Sequence, residues 1–184
     1  MRTPEDIETD ADGLIRFGTV ASVALADARC TVRIDDDAES PPLRWIEMRM
    51  GATSTWSPPS VGEQVLVLCP AGEIEAGVVL RGITSTAHPA PGNTLREVIR
   101  WSDGAEIAYD PESHELEAIL PAGATLGIVA DGGITISGNI TLTGDISMTG
   151  TLTAATDVVA DGKSLKSHKH GGVQAGAAQT GTPV

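Results

Sequence analysis

The sequence predicts an all-β protein: an N-terminal OB-type barrel followed by an intertwined trimeric β-helix. Three observations carry this. Short runs of β-formers recur between Gly, Pro and Asp in the first half of the chain. A glycine returns almost every sixth residue in the second half. No window in the first half holds a 3.6-residue apolar period over helical length.

The elements follow in order. Residues 1–12 read as a flexible acidic leader with no apolar run, so no signal peptide is expected. Residues 13–84 read as the OB-fold domain, with strands in "FGTVASVAL", "RCTVRIDD", "RWIEMRM", "EQVLVLCP" and "EAGVVLRGI". Five short strands in so few residues suit a small antiparallel barrel. Residues 85–93, "STAHPAPGN", read as a linker. Residues 94–122 read as a β-rich neck in which "YDPESHE" is a hairpin turn and Pro111 presets its φ.

Residues 123–162 are predicted to form the β-helix. From Gly132 the chain can be written in sixes: GGITIS, GNITLT, GDISMT, GTLTAA, TDVVAD, GKSLKS. Gly132, Gly138, Gly144, Gly150 and Gly162 form a column that only Thr156 breaks. The third position reads Ile134, Ile140, Ile146, Leu152, Val158, and the fifth reads Ile136, Leu142, Met148, Ala154, Ala160. Each hexad is therefore a period-2 strand with one apolar face. A single ribbon of this kind leaves one face wet and both edges unpaired. Three copies wound about an axis pair the edges between chains and bury the apolar positions, and the core tapers as the fifth residue shrinks. A monomeric solenoid would have fewer than two triangular coils. Residues 163–184 form the apex.

Composition bounds the function. Three Trp, one Tyr and one Phe are thin material for one large core. A formal charge of −13 argues against a nucleic-acid partner. No stretch approaches the ~18 apolar residues of a membrane-spanning helix. Cys30 and Cys69, far apart in strand-like surroundings, read as small buried hydrophobes rather than a disulfide, as in a protein made in a reducing cytoplasm. After Arg100 no Lys or Arg appears until Lys163, while Asp131, Asp145, Asp157 and Asp161 mark an acidic shaft. Lys163, Lys166 and Lys169 then give a basic point that anionic lipid or lipopolysaccharide could attract. No H-E-x-x-H, G-x-S-x-G or phosphate loop is present, and carboxylates such as Glu115 and Glu117 have no apolar pocket around them, so no enzyme is expected.

In the barrel, "W-x-P-P-x-x-G-E-x-V-L-V", then "P-x-G-E" and "G-x-V-L-x-G", and near the end "SLKSHKHGGVQAGAAQTGTPV", resemble the phage baseplate assembly protein V family. These are central spikes of contractile tails, with Mu-like and pyocin-like relatives. The resemblance implies a homotrimer in the virion tail, assembled in the host cytoplasm. Its OB domains would dock on a baseplate hub, and its needle would pierce the bacterial outer membrane when the sheath contracts. It also implies one structural iron ion per trimer, held at the apex by His168 and His170 of each chain; some members hold calcium or chloride as well, for which no residues are assigned here. The geometry agrees, since residues i and i+2 of an extended strand share a face and Lys169 points away. Six imidazoles suit an octahedral ion better than zinc, which usually takes four ligands. His88 and His114 have no such setting and are expected to be exposed. A pyocin-like or type VI secretion-like delivery spike shares this architecture, and a receptor-binding fibre is the alternative from another class.

Overall fold

The computed structural model describes residues 13–35, 38–172 and 176; the leader and most of the small polar terminus lie outside the described residues. These residues contain strands and three short 3₁₀ turns but no α-helix. The chain divides into two compact units, one ending at Gly127 and the other starting at Ile128.

The first unit opens with the barrel. Strands β1 (Ile15–Ala24), β2 (Arg29–Asp35), β3 (Ala38–Glu39), β4 (Arg44–Trp45), β5 (Gln64–Leu68) and β6 (Val78–Ile83) form one sheet in the order β3-β2-β1-β5-β6-β4. All named pairings are antiparallel except β4 with β6, where Arg44 stands beside Val78 and Trp45 beside Val79. The sheet closes on itself at Cys30 and Leu43, which exchange backbone hydrogen bonds of 3.0 and 2.8 Å. Closure removes two edges that would otherwise be exposed.

Period-2 alternation fills the interior. Val20, Cys30, Val32, Leu43, Trp45, Val65, Val67, Cys69 and Val79 form the core. Each fully buried valine contributes about 1.5–3 kcal/mol. Both cysteines are buried free thiols, and burial is the largest influence on Cys30, pushing its thiol up against the opposing pull of Arg81. A register shift between Val20 and Ser22 turns Val23 back onto the core. Gly18 is required where β1 crosses β2: a Cβ there would lie 2.4 Å from Val32 Cγ1 and 2.8 Å from the Arg33 carbonyl oxygen.

One strand is far shorter than the sequence implies. In "RWIEMRM" only Arg44–Trp45 pairs as a strand, and the chain then leaves the sheet as a loop. The reason is Glu47, whose side chain is only 4% exposed. Its Oε1 accepts from Trp45 Nε1 at 2.9 Å and from the Ser57 amide at 2.8 Å, and its Oε2 accepts from Thr55 Oγ1 at 3.0 Å. Arg81 approaches Oε2 at 3.6 Å and also donates to the carbonyls of Ile46 and Ser57. Trp56 lies against Trp45, ring centroids 5.4 Å apart. Residues 46–57 thus satisfy a buried carboxylate instead of extending the ladder. Burial pushes this carboxyl up, but the Ser57 amide, the Trp45 indole, the Thr55 hydroxyl and the Arg81 charge outweigh it, so its pKa falls below the ordinary 4.5.

Beyond residues 85–93, which hold no strand, β7 (Glu97–Arg100), β8 (Glu106–Asp110) and β9 (Glu115–Ile119) form a three-stranded antiparallel sheet. Asp103 and Asp110 organise its two turns: Asp103 Oδ1 accepts from the Ala105 amide at 3.0 Å, and Asp110 Oδ1 from the Glu112 amide at 2.8 Å. His114 closes the second turn with a positive φ of 57° and is exposed, as is His88. On one face Glu106 takes Arg96 at 2.9 Å and Arg100 at 2.7 Å, and Arg96 also reaches Glu117 at 2.7 Å. The opposite face carries Ile99, Ile107, Tyr109 and Leu116, all exposed.

In the second unit, residues 128–158 contain no strand. The apolar hexad side chains Ile134, Ile136, Ile140, Leu142, Ile146, Met148 and Leu152 are 50–72% exposed. Gly138 and Gly144, six residues apart, share nearly the same left-handed φ of 138° and 132°. The last two hexads depart from the column. They fold on each other as a hairpin, β10 (Val159–Ala160) with β11 (Lys163–Ser164). Asp161 and Gly162 at its tip have φ of 49° and 71°. Positive φ at both central residues is the type I′ signature, for which Asp-Gly is a favoured pair. Gly162 therefore serves a turn rather than a corner between faces.

Two outcomes test the barrel. Gly18→Val should destabilise it by about 1–3 kcal/mol through overpacking, read as a lower urea midpoint. Glu47→Ala leaves the Trp45 indole N–H without its acceptor, and should cost about 1–3 kcal/mol. Because the folded pKa of Glu47 is depressed, its contribution is complete above pH 4.5 and is lost as pH falls through the lowered folded value. A tryptophan-fluorescence acid titration should show that loss in the parent, and Glu47→Gln should abolish it.

Candidate metal centre

The residues that could hold a metal follow directly from the β10–β11 hairpin. Asp157 fastens its base: Oδ1 accepts from the Val158 amide at 2.9 Å and the Lys166 amide at 3.0 Å. The Leu165 amide donates to the Val158 carbonyl at 2.8 Å. Ser164, first, and these amides hold the Asp157 carboxyl below its ordinary pKa. The chain then makes one tight turn in which the His168 amide donates to the Ser164 carbonyl at 3.0 Å.

His168 Nδ1 lies 3.0 Å from the Leu165 carbonyl oxygen and 3.2 Å from that of Ser164. A carbonyl oxygen only accepts, so Nδ1 is the donor in these contacts and Nε2 is the ring nitrogen they leave for a ligand. Fixing one ring nitrogen on a backbone carbonyl is how a ligating histidine is commonly oriented. His170 stands with its ring centroid 5.0 Å from that of His168, nearly edge-on at 80°. A ligating nitrogen sits about 2.1 Å from an ion and the ring centre about 1 Å behind it, so two ligands at right angles have centroids ~4.5 Å apart. The observed centroid spacing of 5.0 Å lies close to that value. Among the described residues no group of three or more His, Cys, Asp or Glu gathers to complete a site within one chain. Both rings are exposed, and Gly172 follows with a φ of 76°.

The sequence reading named both histidines and missed what positions them. Asp157 follows the one break in the glycine column, Thr156, and that break is the signal that could have exposed it. Ser164 orients His168 through its carbonyl, which side-chain identity does not reveal.

Comparison with known proteins bears on both ends of the chain. Residues 16–83 match a family described as the type VI secretion system/phage-baseplate injector OB domain. Residues 164–184 match the GpV apex motif. The chain is also 39% identical over 104 residues to the spike protein of Escherichia phage P2. Both matched segments and the P2 relative are therefore similar to parts of baseplate spike proteins. The P2 match covers 56% of this chain and 49% of the P2 protein, so the chain spans about half the length of that curated relative. The apex match begins at Ser164 and therefore takes in the carbonyl that anchors His168 as well as both histidines.

Asp157→Ala should speed amide hydrogen exchange at Val158 and Lys166 while leaving β5 and β6 protected. Unchanged exchange at Lys166 would show that the carboxylate does not hold the hairpin.

Proposed function

We propose that the chain is the central spike of a contractile-tail baseplate, acting as a homotrimer that is driven through the bacterial outer membrane. The observation that carries this reading is the hexad ribbon: a run of apolar side chains at strand spacing, exposed in the single chain and without strand pairing inside it. Such a ribbon needs other chains to cover its face and pair its edges. Three copies do both, as an intertwined β-helix over residues 123–162. Its stiffness comes from inter-chain backbone pairing along a dry axis.

At the apex, residues 163–184, the reading assigns one metal ion to three chains, bound through Nε2 of His168 and by His170. Six imidazole nitrogens suit an octahedral iron ion. A bound ion would supply cross-linking of three chain ends, and a saturated shell leaves no position for a substrate. The role is structural, not enzymatic. The barrel is the part that docks on the baseplate hub, and the lysines beside the histidines give the point a charge suited to an anionic outer leaflet. A pyocin-like or secretion-type delivery device is the second reading, favoured by the injector OB match, which spans both kinds of machine.

Native mass spectrometry and elemental analysis on one sample test this. The expected result is three times the 18.9 kDa chain with one transition metal per trimer. A monomer, or a metal-free trimer, would overturn it. His168→Ala with His170→Ala should remove the metal and leave the trimer mass unchanged.

A further inference from the structure

The barrel's closing seam gathers two like charges. Cys30 and Leu43 exchange both backbone hydrogen bonds, and the residues next to them, Arg29 and Arg44, line one cavity there. Like charges gathered at one place repel. Among the described residues neither arginine has a carboxylate at ion-pair distance. The Arg29 guanidinium donates only to the neighbouring Ala28 carbonyl, at 3.2 Å. Both arginines line an open cavity of about 500 Å³, where Glu75 is the one acidic residue. The cavity also takes in Val78, the end of an apolar belt on the barrel's outer wall. There the register sets Phe17 beside Leu66 and Leu66 beside Leu80, with Ile15, Leu68 and Val78 in the next row. Phe17 is 62% exposed. Strands apolar on both faces are usually covered on both.

We propose that this seam is a docking site for an acidic segment of another baseplate protein, its carboxylate bridging Arg29 and Arg44 and its apolar neighbours lying on the belt. The charge selects the occupant: two guanidinium forks against one carboxylate leave an unneutralised cation, and arginine forks take carboxylates bidentately. The proposal rests on the reading of the barrel as the docking domain, and it adds the side chains and the chemistry of the partner.

The test uses the full chain and two fluorescein-labelled peptides, one alternating Glu and Leu, the other Lys and Leu, followed by anisotropy. The Glu-Leu peptide should bind and the Lys-Leu peptide should not. The double variant R29Q/R44Q should weaken binding at least tenfold, and R29K/R44K, which keeps charge but loses the forks, should weaken it less. Without peptide, R29Q/R44Q should melt no lower than the parent, because a repulsion has been removed. Equal binding by parent and R29Q/R44Q, or none by the parent, overturns the proposal. So does displacement of the peptide by free acetate at equal carboxylate concentration, which would make the seam a small-anion site. Binding that appears only in a chain lacking residues 1–12 would assign the seam to the chain's own acidic leader and overturn a separate partner. Trimer mass and metal content measured on the same preparation keep the outcomes apart, since a normal trimer that ignores the peptide sinks the seam alone.

Discussion

Backbone N–H and C=O groups along a strand must find partners, and the two units meet that demand differently. In the barrel one chain suffices. Six strands pair side by side in the order β3-β2-β1-β5-β6-β4, and the two bonds between Cys30 and Leu43 turn an open sheet into a closed one. Core packing follows, because closure points Val20, Val32, Val65, Val67 and Val79 at one another. In residues 128–158 the same alternation of apolar and polar residues has no strand partner, and its apolar positions stay in water. Side-chain periodicity is alike in both; only the completion of the ladder differs.

Magnitudes show which polar contacts matter to the barrel. The Arg96–Glu106–Arg100 cluster is short and well formed, but its arginines are a third to a half exposed. Ion pairs of that kind are usually worth about 0–1 kcal/mol. Glu47 is a different case, since nearly all of its side chain is withdrawn from water and three donors converge on it. Losing such a partner leaves the indole N–H of the buried Trp45 without its acceptor, at about 1–3 kcal/mol. The loop of residues 46–57 is therefore fixed by one carboxylate more than by any hydrophobic contact of its own. Met48 and Met50 in that loop are exposed.

Much of this was legible in the sequence, for physical reasons. β-Branched runs between Gly and Pro located β1, β2, β5 and β6, because period-2 burial leaves a direct trace in residue order. "YDPESHE" gave the β8–β9 turn, since Pro and Asp favour it through their own backbone preferences. The early end of β4 was not legible: Glu47 sits at an ordinary alternating position, and only the folded chain brings Trp45, Thr55, Ser57 and Arg81 around it. β3 escaped because two residues carry no period. At the far end both histidines were visible as a motif, whereas the Ser164 and Leu165 carbonyls that orient His168 are main-chain atoms and have no residue signature. The hairpin was hidden by the hexad column itself, in which Gly162 satisfies two patterns and the Asp before it decides between them.

That hairpin has a kinetic meaning. Its strands are joined by two residues, so little loop-closure entropy opposes their meeting, and hairpins of this size form in about 1–10 μs. In the proposed trimer, pairing between separate chains would wait for diffusion and for a choice among registers six residues apart. A repeat is poor at making that choice, because sliding by one hexad presents nearly the same surface. The segment ending in Asp161–Gly162 breaks the repeat with a locally formed shape that has no equivalent six residues earlier. In that trimer it would give each chain a stop against slippage, available before any partner arrives.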